Sequence, residues 1–165
     1  MLQAQKASSY LKSVYPIVSK IFTSPVSRAT ETADIIAGAY NLLPEQIEEL
    51  REIDFGDMTG ELMSEIPKEI DEAYFKNPYE HAHTHGESLK DVQMRTGLFL
   101  KKYASWTQDD EVFIVVTHDN VIRSLVGNIR GLTREICSLK VDHASIIVYE
   151  IKNDGITCLD FNKKI

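Results

Sequence analysis

The sequence predicts an α/β fold: a mainly parallel sheet with helices on both faces. Three observations carry this. Helical and strand-like segments alternate along the chain, the run Val112 to Val116 is apolar without interruption, and it leads straight into an amphipathic helical segment. A strand with no polar face is covered on both sides, which is the habit of parallel sheets rather than half-solvated hairpins. A length of 165 residues suits one domain, taken as 1–165, and 43% hydrophobic with 26% charged residues is a globular composition.

Each element has its own local reason. Leu2 to Val14 has the helical period, with Ala4, Ala7, Leu11 and Val14 on one face, and Pro16 ends it. Ile21-Phe22-Thr23 is a short apolar strand. Ser24-Pro25 then offers an N-cap and a first-position proline for a helix through Ala29, Ala33 and Ile36 to Gly38. Glu48 to Asp54 reads as a short strand that runs into the loop Gly56 to Gly60. Glu61 to Lys76 reads as an irregular helix broken by Pro67, and Asn77 to Gly86 as polar loop. Ser88 with Asp91 has capping-box spacing and opens a helix whose Leu89, Val92, Phe99, Tyr103 and Trp106 face inward. The Val112–Val116 strand feeds a helix at Val121 to Ile129. Ser145 to Ile151 and Ile156 to Phe161 are two closing strands around the turn Asn153-Asp154-Gly155.

Composition also excludes partners. Eighteen Lys and Arg against 25 Asp and Glu leave a net charge of −7, which argues against nucleic acids and anionic membranes. No apolar run approaches the roughly 18 residues of a membrane span. Cys137 and Cys158 lie far apart without a CxxC spacing, so a reduced, cytoplasmic setting is expected. No cofactor motif and no metal motif is expected either. His81, His83 and His85 alternate, but no fourth ligand or strand signal accompanies them; a solvated loop is preferred to a metal site, with substrate shaping a third reading.

Two strand-to-helix junctions carry residues that are harder to explain structurally. Arg28 falls in the first turn of its helix, where a cation opposes the macrodipole at a cost of roughly a few tenths of a kcal/mol. It is either a solvated surface residue or one that points, with the free N–H groups of that helix, at a bound anion. His118 lies where the buried strand ends. It is either a hydrogen-bonded structural histidine or an imidazole serving a site at the open edge of the sheet. Together they suit a phosphoryl group.

Taken as one pattern, these segments resemble the histidine phosphatase superfamily, with its phosphoglycerate mutase-like fold. Thr23-Ser24-Pro25, Arg28-Ala29 and Thr32-Ala33 look like the S-P-x-x-R-A-x-x-T-A signature, and Leu50 to Gly56 with Gly60 like L-x-E-x-x-x-G-x-x-x-G. Gly86-Glu87-Ser88 matches G-E-S, and Val115 to Arg123 is similar to the second-histidine segment. The resemblance implies a two-step phosphoryl transfer through a phosphohistidine. Arg28 would bind the phosphate oxygens, His118 would donate to them and stabilise developing charge, and Glu52 would be general acid and then general base. The substrate would be a small phosphorylated metabolite.

The family's nucleophile belongs to an R-H-G motif on its first strand, and none of the five histidines (His81, His83, His85, His118, His143) stands in such a triplet. Gln3-Ala4 with Leu11 looks like the helix that comes after that motif. The expectation is therefore an N-terminally truncated domain with its first strand missing and its nucleophile upstream of Met1. Loss of a central strand exposes edges, which leaves room for a homo-oligomer. Two departures from the pattern are Asp119, where the family has glycine, and the lack of tryptophan and glutamate between Gly56 and Gly60. The expected function is a phosphomonoester phosphatase. The alternatives are a phosphoglycerate mutase, whose family members carry longer insertions before G-E-S, and a non-catalytic phospho-ligand binding or assembly module.

Overall fold

A computed structural model describes residues 1–62, 69, 72–104, 111–152 and 155–164. In chain order the elements are α1 (Leu2–Val14), β1 (Lys20–Thr23), α2 (Ser27–Gly38), β2 (Glu45–Gln46), α3 (Glu72–Lys76), α4 (Leu89–Ala104), β3 (Phe113–Val116), α5 (Asp119–Arg130), β4 (Ile146–Lys152) and β5 (Gly155–Lys163). Short 3-10 turns lie at Glu48–Leu50, Gly56–Met58 and Arg134–Ser138.

The period of a strand sets the layers. Successive side chains point to opposite faces, so Ile21 and Phe22 of β1, each 1% exposed, enter different cores. Ile21 packs with Leu11 of α1, Ala33 and Ile36 of α2, and Ile114 of β3. Phe22 packs with Leu89, Val92, Phe99 and Tyr103 of α4 and Val121 of α5. Its ring lies 4.6 Å from that of Tyr103 and 5.7 Å from that of Phe99. The expected mixed α/β class is thus observed, with a parallel sheet and helices on both faces.

The parallel sheet has strand order β2-β1-β3, while β4 and β5 form a separate antiparallel pair. Thr23 at the end of β1 aligns with Gln46 at the end of β2 and Val116 at the end of β3. Three carboxyl ends therefore sit at one edge, and the chain leaves all three strands on that side of the sheet. That register positions the site.

Several elements differ from expectation, each for a physical reason. The buried stripe of α1 is Ala4, Ala7, Ser8 and Leu11; its period continues to Tyr15, so Val14 is left exposed. Helix α2 begins at Ser27 with Val26 as N-cap, not at Pro25, because the Ser24 N–H still extends the sheet ladder to the Val116 carbonyl at 3.0 Å. Within Glu48 to Asp54 the chain is not a strand. Ile47, Leu50 and Ile53 are buried at every third position, the spacing of a 3-10 turn, and regular pairing ends at Gln46. Val115 is 37% exposed, although its run predicts a strand covered on both faces; among the described residues β3 is paired along one edge only. Helix is observed at Glu72–Lys76 within the irregular segment. Pro67, Trp106 and the turn residues Asn153 and Asp154 lie outside the described residues.

The start of α4 matches its signature. The Ser88 N–H donates to Asp91 Oδ2 at 2.9 Å and the Asp91 N–H to Ser88 Oγ at 3.2 Å, a reciprocal capping box. No helix among the described residues is long and apolar enough to cross a membrane.

Candidate active site

Glu52, Arg28 and His118 come from the three segments that leave the aligned strand ends. Arg28 stands in the first turn of α2, Glu52 comes just after the 3-10 turn beyond β2, and His118 is the N-cap of α5 after β3. Arg28 Nη2 lies 3.7 Å from Glu52 Oε2, and His118 Nδ1 lies 3.8 Å from the same oxygen. The three sequence-selected residues are thus brought together at one edge of the sheet. Arg28 is 63% exposed at the mouth, whereas His118 is buried.

Further contacts hold His118 and Glu52. His118 Nε2 lies 2.8 Å from the hydroxyl of Ser24, which is fully buried. Thr117 Oγ1 donates to the Leu50 carbonyl at 2.7 Å, tying the end of β3 to the segment that carries Glu52. Glu52 Oε1 accepts the Ile53 N–H at 3.0 Å, and the nearby Asn120 side chain favours the charged carboxylate. Behind this segment Arg95 grips Glu87 with two bonds, at 2.8 and 3.0 Å, and donates to the Glu49 carbonyl at 2.7 Å. Glu87 in turn accepts the Asp54 N–H at 3.0 Å.

The G-E-S turn must approach this segment closely, which explains its glycine. A Cβ on Gly86 would lie 2.6 Å from the Asp54 carbonyl oxygen. Gly56, at φ 55°, faces the Thr84 carbonyl with the same lack of room.

Charge in the site follows from burial. Burial pushes the Glu52 carboxyl up from its ordinary range, and the negative charge of Asp119 adds to this; the Ile53 N–H and Arg28 pull against it. Burial, then the positive charges of Arg28 and Arg95, lower His118 from 6.5 to about 4. The close approach of His118 to Glu52 is therefore a neutral imidazole beside a carboxyl group, not an ion pair, at neutral pH. A cavity of about 290 Å³ adjoins Glu52, lined also by Glu48, Arg51, Asp54, Glu87 and Arg95. Neither Arg28 nor His118 lines it, so it flanks the convergence point rather than coinciding with it.

Among the described residues no group of three or more His, Cys, Asp or Glu side chains could hold a metal ion. His83 departs from the solvated-loop reading: it is 2% exposed and its ring lies 3.7 Å from that of Tyr74. His85 is exposed and pairs with Asp57 at 3.1 Å.

An arginine, a histidine and a half-buried carboxyl group at the open edge of a parallel sheet are chemically suited to a phosphoryl group. Nearly the whole chain also matches one family: residues 1–164 fit the Histidine phosphatase superfamily (branch 1). The chain belongs to the histidine phosphatase superfamily. Within it, the chain is similar to the 2,3-bisphosphoglycerate-dependent phosphoglycerate mutase of Methanococcus vannielii, at 35% identity over 124 residues. That match takes in 70% of this chain and 52% of the mutase, so the chain spans about half the length of this relative. Among solved structures, YhfR of Bacillus stearothermophilus superposes with a TM-score of 0.84 at 26% identity, over 98% of this chain and 81% of that one. The mycobacterial glucosyl-3-phosphoglycerate phosphatase solved with VO3 has the same fold, with a TM-score of 0.85 at 21% identity over 99% of this chain and 84% of that one. This superfamily member thus has both a mutase and a phosphatase among the proteins it is similar to.

Sequence reasoning missed two members of the site. Ser24 reads as a helix cap in the sequence, yet its side chain turns to His118. Asn120 lies inside the second-histidine segment but has no role assigned from the sequence; its place in the first turn of α5 brings it near Glu52.

Proposed function

We propose that this chain forms most of a phosphomonoester phosphatase site that works through a phosphohistidine, with the attacking histidine supplied by a segment that precedes these 165 residues. On this reading residues 1–165 are part of a single histidine-phosphatase-like domain. The observation that carries it is the convergence of Arg28 Nη2 and His118 Nδ1 on Glu52 Oε2, at 3.7 and 3.8 Å. An anion there meets a guanidinium, an imidazole N–H and the positive end of α2, while Glu52 is on hand to manage a proton.

The chemistry balances as two displacements. A histidine nitrogen attacks phosphorus, the phosphorus–oxygen bond of the ester breaks, and Glu52 gives its proton to the departing alkoxide. Water then attacks the phosphohistidine, Glu52 takes the water proton, and the phosphorus–nitrogen bond breaks to release phosphate. Arg28 and His118 hold the oxygens of the transferring group in both steps. The raised Glu52 carboxyl suits a group that must be an acid first and a base second.

A small phosphorylated metabolite is the proposed substrate, and the cytoplasm the proposed setting, in keeping with two free cysteines. Mutase chemistry, which hands the phosphoryl group to a second substrate instead of water, is the second reading; the 35% identical mutase supports it. The test is turnover of phosphomonoesters by this chain and by the protein extended upstream. The extended protein should be faster by orders of magnitude and form an acid-labile phosphohistidine. Equal rates would mean that another residue carries the reaction. Binding of phosphate without turnover in the extended form would leave only a non-catalytic module.

A further inference from the structure

The sheet register brings a serine and a histidine together at the strand ends in a way the proposed chemistry has not used. Thr23 pairs with Val116, so the next residues, Ser24 and Thr117-His118, leave the ladder side by side. The Ser24 N–H still bonds the Val116 carbonyl at 3.0 Å, which fixes the serine backbone against the strand that delivers the histidine. Ser24 Oγ then lies 2.8 Å from His118 Nε2, and both residues are buried.

We propose that Ser24 is a positioning residue whose hydroxyl donates to His118 Nε2 and so holds the imidazole with its proton on Nδ1, the nitrogen that faces Glu52.

The direction of the bond follows from counting donors. Ser24 Oγ receives the Val26 N–H at 3.3 Å and keeps a second lone pair, so the deciding group is its single buried proton, which needs an acceptor. Among the described residues, His118 Nε2 is the acceptor that the structure places within its reach. With Nε2 accepting, a neutral ring carries its hydrogen on Nδ1. That nitrogen stands 3.8 Å from Glu52 Oε2, the oxygen that Arg28 Nη2 also approaches, at 3.7 Å. A phosphoryl oxygen there receives a donor. With the opposite tautomer it would meet a lone pair, and the Ser24 proton would be left without its acceptor in a buried position. The charged groups that act on the ring are Arg28 and Arg95, with Glu52 facing Nδ1; burial first, and then the two cations, favour the neutral ring, in keeping with a pKa of about 4. Serine at this position therefore has a reason beyond helix capping: it sets which nitrogen is the donor.

The inference rests on the phosphate reading of the site, but its test does not depend on turnover. Long-range proton–nitrogen NMR of the His118 ring in the 165-residue chain reads the tautomer directly at neutral pH. Nε2 should give the signal of an unprotonated nitrogen and Nδ1 that of a protonated one. A wild-type ring protonated on Nε2 overturns the proposal without any variant. In Ser24→Ala the ring should become a mixture of tautomers, while Ser24→Thr, which keeps the hydroxyl, should restore the wild-type pattern. If about a fifth to a half of the Ser24→Ala molecules retain the Nδ1–H form, inorganic phosphate should bind about two- to fivefold more weakly. A purely structural serine would lower thermal stability in Ser24→Ala and leave the ring signals unchanged, which also overturns the proposal. The expected tautomer with no response to phosphate would support the Ser24 bond and overturn the anion-site reading instead.

Discussion

At the scale of single residues, Glu52 is the group whose environment is most sharply suited to one task. It is partly buried, shares one oxygen with Arg28 and His118, and is held above the ordinary carboxylate range by burial. In the upstream-extended protein, Glu52→Gln should lower turnover of alkyl phosphates by about 100- to 10,000-fold, because their leaving oxygen needs the proton. Activated aryl phosphates should lose much less, and equal losses for both classes would argue against the acid role. His118 gives a second residue-scale prediction through stability. Its pKa is 6.5 when unfolded and about 4 when folded, so between those values the unfolded chain binds the proton and the native one does not. Stability therefore falls as pH drops through that window, by no more than about 1.4 kcal/mol per pH unit. Glu52 works in the opposite sense, since its raised carboxyl takes up a proton in the native state first and its penalty is relieved on acidification. Urea unfolding at pH 7 and pH 5 separates the two: wild type should lose more stability than His118→Gln. An identical loss in both would mean that the buried imidazole is not what titrates.

At the scale of elements, the capping box is a contact whose worth can be read alone. Ser88→Ala removes the hydroxyl that accepts the Asp91 N–H and should cost about 1 kcal/mol, seen as a lower urea midpoint with unchanged slope. No change would mean that packing of Leu89 and Val92 holds the helix start by itself. The same element shows what a sequence makes legible. Helix α4 announces its start by Ser88 and Asp91 and its inner face by Leu89, Val92, Phe99 and Tyr103; α1 announces its end by Pro16. These are local signals, and others of the same kind put Arg28 in the first turn of α2 and His118 just after β3. Signals that depend on a neighbour in space are not legible in this way. Glu48 to Asp54 reads as strand, but its Ile47, Leu50 and Ile53 answer to the core that Phe22 and α4 build. Ser24 reads as a cap because its role depends on a histidine 94 positions away. His83 reads as solvated because nothing local shows that Tyr74 stacks on it.

At the scale of the molecule, the net charge of −7 repels anions, so any affinity for phosphate must come from a few placed groups. The register of the three parallel strands supplies that placement, since it delivers Arg28, Glu52 and His118 to one edge from distant parts of the chain. The same sheet leaves one edge of β3 without a strand among the described residues and Val115 37% exposed. That edge lies beside the convergence point, and it is where the proposed upstream strand with its nucleophile would add. The most direct measurement of the central claim needs only the present chain: titration of inorganic phosphate, followed through the His118 ring signals, in wild type and in Arg28→Ala. Wild type should bind and shift those signals. Arg28→Ala should bind about tenfold or more weakly, the worth of one charge-assisted contact. Equal affinities in the two proteins, or binding that leaves His118 unmoved, would contradict an anion site built from these residues.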